Sequence, residues 1–236
     1  MKSLERWMIF FWNLYGQRNR FYLPSLEKRL AFLNLAIGDW ETAWRKEVGS
    51  YRQGIALSRI FTRIFCLAEF LDLNYLSAMA LKYPQTGCAY CGQLPCVCRE
   101  RRADPRLETI AGLVQANWTI GVWANHLAAV YGQKNAAQGM NYLTGRLFRE
   151  SCEIQSLFMD NEGLGRLTLL EQQLAAALEL SDLTAWSLGI MTLANIDLEV
   201  VFTTRFRDAC WKCGQNPCQC TVFNMKPVDW ENYSTN

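Results

Sequence analysis

The sequence predicts an all-α protein, a tandem duplication of one helical unit that forms a fused pseudo-dimeric helix bundle. Helix is favoured by stretches rich in Ala, Leu, Glu and Gln, such as LTLLEQQLAAALELSDLTAW at 167–186, and by the scarcity of β-branched runs. Duplication is indicated by two segments of one pattern, CAYCGQLPCVC at 88–98 and CWKCGQNPCQC at 210–220. A second pair, YGQRN at 15–19 and YGQKN at 131–135, precedes the cysteine segments in the same order and at nearly the same spacing.

Composition limits the classes of function. Half of the 236 residues are hydrophobic, and nine Trp and twelve Phe provide material for an ordered core. The formal net charge of +2 is too small to imply a polyanionic partner, so nucleic acid is not an expected ligand. No apolar run reaches the roughly 18 residues that a membrane span needs, and no signal peptide is recognisable. We therefore expect a cytoplasmic protein without a membrane partner.

Each copy is expected to contain four helices. The first precedes Y-G-Q, and the second runs through L-x-x-R-L, which occurs at 26–30 and 143–147. The third leads into a D-L segment, at 71–74 in the first copy and 196–199 in the second, and a short fourth helix enters the cysteine segment.

The boundary between the copies is placed in RERRADPR at 99–106, where charged residues and a Pro interrupt the helical pattern. The predicted units are residues 1–104, a degenerate copy, and residues 105–236, which keep an acidic motif that the first copy lacks.

The cysteine segments predict two zinc sites. Both have the spacing C-x2-C-x4-C-x-C, and together they contain eight of the ten cysteines. In a reducing compartment such clusters favour zinc, which four thiolates hold in a closed tetrahedron. Disulfide-tied loops of a secreted protein are the alternative interpretation. We therefore expect about two structural zinc ions per chain. Their predicted ligands are Cys88, Cys91, Cys96, Cys98, Cys210, Cys213, Cys218 and Cys220.

Two pairs of acidic residues lie where the helical pattern favours apolar side chains. Glu150 and Glu153 are three residues apart, on a helical face that also carries Leu147. Glu179 and Asp182 repeat this spacing in the next long helix. Buried carboxylates repel one another and are costly unless a cation compensates them, and Mg²⁺ prefers oxygen ligands. The four acids are therefore predicted to hold Mg²⁺ or Mn²⁺; solvated acids beside an imperfect apolar stripe are the alternative.

The first copy provides an internal comparison. When the L-x-x-R-L and D-L segments are aligned, residues without a carboxylate stand at the positions of all four acids. These residues are Leu33, Ala36, Gly54 and Leu57. Joint loss is expected if the acids act as one unit that the first copy no longer needs.

The motif E-x-x-E followed by E-x-x-D on adjacent helices resembles the MazG-like all-α NTP pyrophosphatases. ELSDLTAWSLGIMTLANIDLE resembles that family's third helix and the turn after it, and KYPQTGCAYCGQLPCVC resembles the cysteine-rich end of some relatives. The resemblance implies a helical bundle, usually dimeric, that hydrolyses an NTP or dNTP to the monophosphate and pyrophosphate with Mg²⁺. It also implies that the magnesium ligands are Glu150, Glu153, Glu179 and Asp182.

The chain departs from the family at Arg149, where many members have a further acid, and this Arg is an expected phosphate contact. Other expected nucleotide contacts are Lys134, Asn135, Trp186 and Arg205. One active site per chain is expected, in the second copy, and such pseudo-dimeric chains are candidates for further homo-oligomerisation.

Two non-catalytic interpretations are left open. The first is a zinc-containing nucleotide sensor that uses the same residues without turnover. The second is a protein that binds nucleic acid or another partner through its cysteine segments, which would make its binding sensitive to salt.

Overall fold

The computed structural model describes residues 1–98, 117–159 and 167–220, and within them the chain forms seven helices. The helices are α1 (Leu4–Tyr22), α2 (Leu26–Arg45), α3 (Ser50–Phe70), α4 (Tyr75–Lys82), α5 (Ile120–Met159), α6 (Leu169–Leu193) and α7 (Leu198–Arg205). The all-α prediction is confirmed, since the β pairing in these residues is limited to an isolated bridge. The predicted unit boundary at 104/105 and the chain beyond 220 lie outside the described residues.

Short polar side chains start several helices. Ser3, Ser25 and Thr168 accept a hydrogen bond from a backbone N–H in the first turn of α1, α2 and α6, at 3.2, 3.4 and 3.3 Å. In α6 the Thr168 N–H also donates to the Glu171 carboxylate at 2.7 Å, which completes a capping box. These caps satisfy N–H groups that the helical ladder leaves unpaired.

Helix α5 is bent at Gly139, whose φ of 78° and ψ of 171° are not helical. Glycine adopts a positive φ readily because it has no Cβ. The bend separates the segments 120–138 and 140–159, so each half of the chain has four helical segments in the described residues.

The expectation that the first helix of each half ends before Y-G-Q is wrong. Residues 15–17 lie inside α1, and residues 131–133 lie inside α5. The glycine of Y-G-Q suits a close approach between two helices. A Cβ on Gly16 in α1 would lie 3.3 Å from Oε1 of Glu69 in α3.

Each cysteine segment packs against the opposite half of the chain. The Cys96 N–H donates to the Val130 carbonyl in α5 at 2.8 Å, and the Cys218 N–H donates to the Leu14 carbonyl in α1, also at 2.8 Å. Likewise α4 packs on α6, and α7 packs on α3. The two halves are therefore interlocked, each supplying a short helix and a cysteine segment to the other.

The starts of α1 and α5 meet each other. Ser3 and Thr119 form the isolated antiparallel bridge, and the Leu4 N–H donates to the Trp118 carbonyl at 2.9 Å. Each bridge residue precedes the first helix of its own half, and its hydroxyl accepts a hydrogen bond from that helix. The N-terminal ends of α1 and α5 therefore lie in contact.

The core is continuous between the halves. An aromatic cluster joins α1, α3 and α7, with the ring of Phe11 centred 5.9 Å from Phe65, 5.5 Å from Phe202 and 4.9 Å from Phe206. Edge-to-face and offset contacts of this kind add to the stability that burial provides. This cluster anchors α7 and, through it, the second cysteine segment.

Helix α6 is long and apolar enough to cross a membrane on length and composition alone. However, 67% of its most apolar window is buried within the protein. The core helix of a compact protein passes the same test, so this feature is weak evidence for a membrane span.

The turns after α3 and α6 correct the alignment of the two halves. Each contains a residue of positive φ, Asp72 (53°) and Asn195 (52°), with the same pattern of backbone hydrogen bonds around it. These turns are 123 residues apart, whereas the D-L alignment assumes 125. In an alignment that matches these two turns, Gly54 and Leu57 no longer stand opposite the second acidic pair. The matched pairs are then Ala56 with Glu179 and Arg59 with Asp182.

The register of α2 also shifts. In the first half three residues, 23–25, connect the first two helices, whereas in the second half Gly139 alone connects the two segments of α5. As a result, α2 and the second segment of α5 begin 114 residues apart. With that spacing the fully buried positions coincide, at Leu33 with Leu147, Ile37 with Ser151, and Trp40 with Ile154. The corrected pairs for the first acidic motif are Ala36 with Glu150 and Asp39 with Glu153.

Candidate functional site

Three of the four predicted acids come together between α5 and α6. Carboxylate oxygens of Glu150, Glu153 and Glu179 lie within 4.8 Å of one another. The three-residue spacing puts the first two on one face of α5, and the packing of α6 along α5 brings the third to that face. Glu150 is fully buried, and the other two are half-buried.

Glu150 is held from one side only. Arg146 donates from Nη2 to Oε1 of Glu150 at 2.5 Å, and Trp186 donates from Nε1 to the same oxygen at 3.1 Å. The other oxygen, Oε2, is buried without a hydrogen-bond partner among the described residues. A buried carboxylate oxygen without a partner is costly. Three converging carboxylates with an unsatisfied oxygen fit a hard divalent cation such as Mg²⁺ or Mn²⁺.

The fourth acid, Asp182, is buried and faces the first half of the chain instead. Lys82 Nζ lies 2.9 Å from Oδ1 of Asp182, and the Tyr83 hydroxyl donates to the same oxygen at 2.5 Å. Both partners come from the end of α4, which packs on α6. Asp182 therefore borders the acid cluster, but its negative charge is already compensated by the ammonium group of Lys82.

The acids perturb one another electrostatically. Burial, the adjacent Glu153 carboxyl and the charge of Asp182 together raise the pKa of Glu150 to about 8, against the opposing effect of Arg146. Burial raises the pKa of Glu179 as well. For Glu153 burial acts in the same direction, but hydrogen bonds with Glu150 and Arg149 outweigh it and lower its pKa. Without a bound cation, the cluster therefore retains a proton near neutral pH.

A cavity of about 430 Å³ opens beside the cluster, between α4, α5, α6 and the first cysteine segment. Arg146, Asp182 and Trp186 form part of its wall and connect it to the acids. The rings of Tyr142 and Trp186 lie 6.1 Å apart at 78°, so a planar ligand has aromatic surface to pack on. A cavity of this size with a few convergent polar groups is typical of a small-molecule site.

Three of the five predicted nucleotide contacts line this cavity: Lys134, Asn135 and Trp186. Lys134 is engaged with the first cysteine segment, since its Nζ donates to Cys96 Sγ at 3.1 Å and to the Cys98 carbonyl at 2.5 Å.

The other two predicted contacts lie elsewhere. Arg149 is largely exposed and donates to Glu153 at 2.7 Å along α5, so it neutralises an acid instead of lining the cavity. Arg205 ends α7, which packs on the first half, and its guanidinium lies 4.0 Å from the ring centre of Trp211 in the second cysteine segment. The residue spacing that suggested Arg205 as a contact carries no information about the packing of α7, which lies against α3 of the first half.

Three residues of the site were not predicted: Arg146, Lys82 and Tyr83. Arg146 is the Arg of LTGRL at 143–147, and the available signal was the acid four residues later in the same helix, Glu150. Lys82 and Tyr83 begin K-Y-P, but only the packing of α4 on the second half brings them to Asp182.

Both cysteine segments form compact tetrads. The four Sγ atoms of each group lie within 4.8 Å of one another, with pairs at 3.9 Å for Cys88 and Cys98 and at 3.9 Å for Cys210 and Cys220. A tetrahedral zinc site with Zn–S of about 2.3 Å has sulfur atoms about 3.8 Å apart. All eight cysteines are free, and each tetrad by itself supplies the four ligands that a zinc ion takes.

The surroundings act differently on the thiols of a tetrad: in the first segment burial raises the pKa of Cys88 and Cys98, whereas the pKa of Cys91 is lowered. Burial acts against ionisation, but backbone N–H groups of Gln93 and Val97 lower the pKa of Cys91 to about 6. Cations also approach both clusters at the same place: Lys134 Nζ donates to Cys96 Sγ, and Arg18 Nη1 donates to Cys218 Sγ at 3.2 Å. Positive charge beside four thiolates offsets the net negative charge of a Zn(Cys)₄ centre.

The protein was compared with family models, curated proteins and solved structures. None of them matches the chain. The resemblance to MazG-like pyrophosphatases therefore depends on the acidic motif, its helical context and the cysteine-rich segment, and the chemistry has to be argued from the geometry of the site.

Proposed function

We propose that the chain is a divalent-cation-dependent nucleoside triphosphate pyrophosphohydrolase with one active site, in its second half, and two structural zinc ions. The observation that carries the proposal is the convergence of Glu150, Glu153 and Glu179 beside an aromatic and cationic cavity. This combination provides ligands for a metal ion and, directly next to them, contacts for a phosphorylated planar molecule.

Mg²⁺ bound by these carboxylates would neutralise charge on the phosphates and make a water molecule a better nucleophile. The chain's own residues have defined roles around it. Arg146 keeps the Glu150 carboxylate oriented, and Trp186 both donates to that carboxylate and presents its ring to the cavity. Lys82 and Lys134 also line the cavity wall, where Lys82 pairs with Asp182 and Lys134 donates to the first cysteine segment.

The double architecture belongs to the same proposal. We propose that duplication of a four-helix unit, followed by loss of the acids in the first copy, produced a chain with one working site. The reciprocal packing of the cysteine segments and the contact between Ser3 and Thr119 support it. In this arrangement the first half builds the wall of the cavity through α4 and its cysteine segment.

The test is release of pyrophosphate from a panel of NTPs and dNTPs with Mg²⁺ or Mn²⁺. Glu153→Gln and Asp182→Asn are expected to lower kcat/KM by more than about 100-fold, because even outer-shell changes at metal sites cost 10–100-fold. Glu41→Gln changes an exposed acid on α2 and is the matched control, expected to retain activity.

Circular dichroism and thermal melting establish that each variant keeps its fold. Glu153→Gln is the cleaner variant because Glu153 is half-buried and Asp182 also holds an ion pair. Full activity in both folded variants would contradict the assignment of the site.

One observation favours a second candidate, a nucleotide sensor that binds without turnover. Asp182 is already neutralised by Lys82, so one predicted metal ligand is engaged with another partner. A sensor would bind nucleotides with Mg²⁺ in calorimetry but release no pyrophosphate over hours. Sustained release of pyrophosphate would exclude it.

A further inference from the structure

A buried ion pair in the first half occupies the place that the acid cluster has in the second. Arg59 on α3 pairs through Nη1 with Oδ2 of Asp39 on α2. The Asp39 side chain is 8% exposed and the Arg59 side chain 30% exposed, so the pair is largely enclosed. A buried carboxylate of this kind needs a compensating cation.

The helix registers make this pair the counterpart of the acid site. The turns after α3 and α6 align Arg59 with Asp182, and the starts of α2 and of the second segment of α5 align Asp39 with Glu153. The sequence agrees, since LSRI at 57–60 aligns with LSDL at 180–183 in this register. One carboxylate is thus retained and another is exchanged for a guanidinium.

We propose that the first half holds a second acid site that is closed by its own side chain, with the Arg59 guanidinium in place of a divalent cation. This inference rests on the proposed function in one respect, the assignment of the acid cluster as a metal site. It goes further by assigning a role to the first half: a site of the same origin that cannot take up a metal ion because a fixed cation fills it.

The basic residues at the ends of α4 and α7 have partners that fit the exchange of an aspartate for Arg59. In the second half, Lys82 at the end of α4 approaches the acidic Asp182 at 2.9 Å. Its counterpart at the end of α7, Arg205, lies against the ring of Trp211. Lys and Arg at equivalent helix ends therefore have different partners, as expected when the residue opposite them is an acid in one half and an arginine in the other.

The closed site can be opened by design. Ala36→Glu/Ala56→Glu/Arg59→Asp would place carboxylates at the positions equivalent to Glu150, Glu179 and Asp182, beside the retained Asp39. The isosteric control is Ala36→Gln/Ala56→Gln/Arg59→Asn, which has nearly the same shape without the new charges. The probe is Mn²⁺ alone, followed by thermal melting and by counting bound Mn²⁺ per chain.

The acidic variant is expected to bind one more Mn²⁺ than its control. Its melting temperature is expected to rise by about 3–6 °C more than that of the control when Mn²⁺ is tenfold above its Kd. Equal responses of the two variants would overturn the proposal. If the substitutions of the buried Ala36 and Ala56 prevent folding, Arg59→Asp against Arg59→Asn decides by the same difference in melting temperature.

Wild-type chain titrated in the same series reports on the native cluster alone. If wild type binds no Mn²⁺, the proposed function fails, whereas a lack of difference between the matched variants counts against the closed site only. The native cluster is present in every variant, so its contribution cancels in the comparison.

Discussion

Lys82 Nζ lies 2.9 Å from Oδ1 of Asp182, although the two residues are 100 positions apart and belong to opposite halves of the chain. The Lys82 side chain is 12% exposed and the Asp182 side chain 4% exposed, so little water screens the pair. The contact joins the end of α4 to the middle of α6 and couples the first half to the acid site of the second.

Loss of Lys82 should expose the cost of burying Asp182. Lys82→Met is expected to lower the free energy of unfolding by about 3–5 kcal/mol, because it leaves a buried carboxylate without its ionic partner. Denaturant titration measures the change, and Lys28→Met on the exposed face of α2 is the control. Lys82→Met/Asp182→Leu should recover most of the loss; a single variant as stable as wild type would refute this account of the pair.

Metal binding at the acid cluster should depend on pH through Glu150. Its pKa of about 8 lies above the usual value, so below pH 8 a proton competes with the cation. The apparent affinity for Mn²⁺ is expected to rise about tenfold per pH unit from pH 6.5 to 8 and to level off above. Calorimetry in two buffers should show release of about one proton at pH 7, and Glu150→Gln should abolish that release. A pH-independent affinity in wild type would contradict the prediction.

The two cysteine segments should differ in their importance for the site. Cys91→Ser and Cys213→Ser are each expected to lower the zinc content from about two ions per chain to about one. Only the first should also abolish nucleotide binding, because the first segment lines the cavity and holds Lys134, whereas the second packs on α1. Atomic emission and calorimetry measure the two quantities. Equal loss of nucleotide binding in both variants would count against this asymmetry.

Glycines test the packing of the halves. A Cβ on Gly54 would lie 2.6 Å from Cγ2 of Val201 in α7, so Gly54→Ala is expected to lower the free energy of unfolding by about 1–3 kcal/mol. A Cβ on Gly38 in α2 would meet no neighbouring atom within 4 Å, so Gly38→Ala should raise stability by about 0.5–1 kcal/mol. Effects of the same sign in thermal melts would show that α7 does not pack on α3 as described.

Local patterns carried much of the fold and of the site. Helices followed from apolar periodicity and residue propensity, which act over neighbouring turns and need no knowledge of distant contacts. The three-residue spacing of Glu150 and Glu153 already placed both on one face of α5, and the spacing of the cysteines already grouped each tetrad. The register of the two halves was predicted less well, because matches of four or five residues are too short to fix an alignment against slips of two or three residues.

The sequence by itself determined the helical class, the two tetrads of cysteines and the shared face of Glu150 and Glu153 on α5, since each depends on residues close together in the chain. Tertiary structure alone decided that Lys82 meets Asp182, that Arg59 meets Asp39, and that each cysteine segment crosses to the opposite half. The physical reason is that these contacts depend on how whole helices pack, and a helix carries no local signal for the partner on which it buries its apolar face.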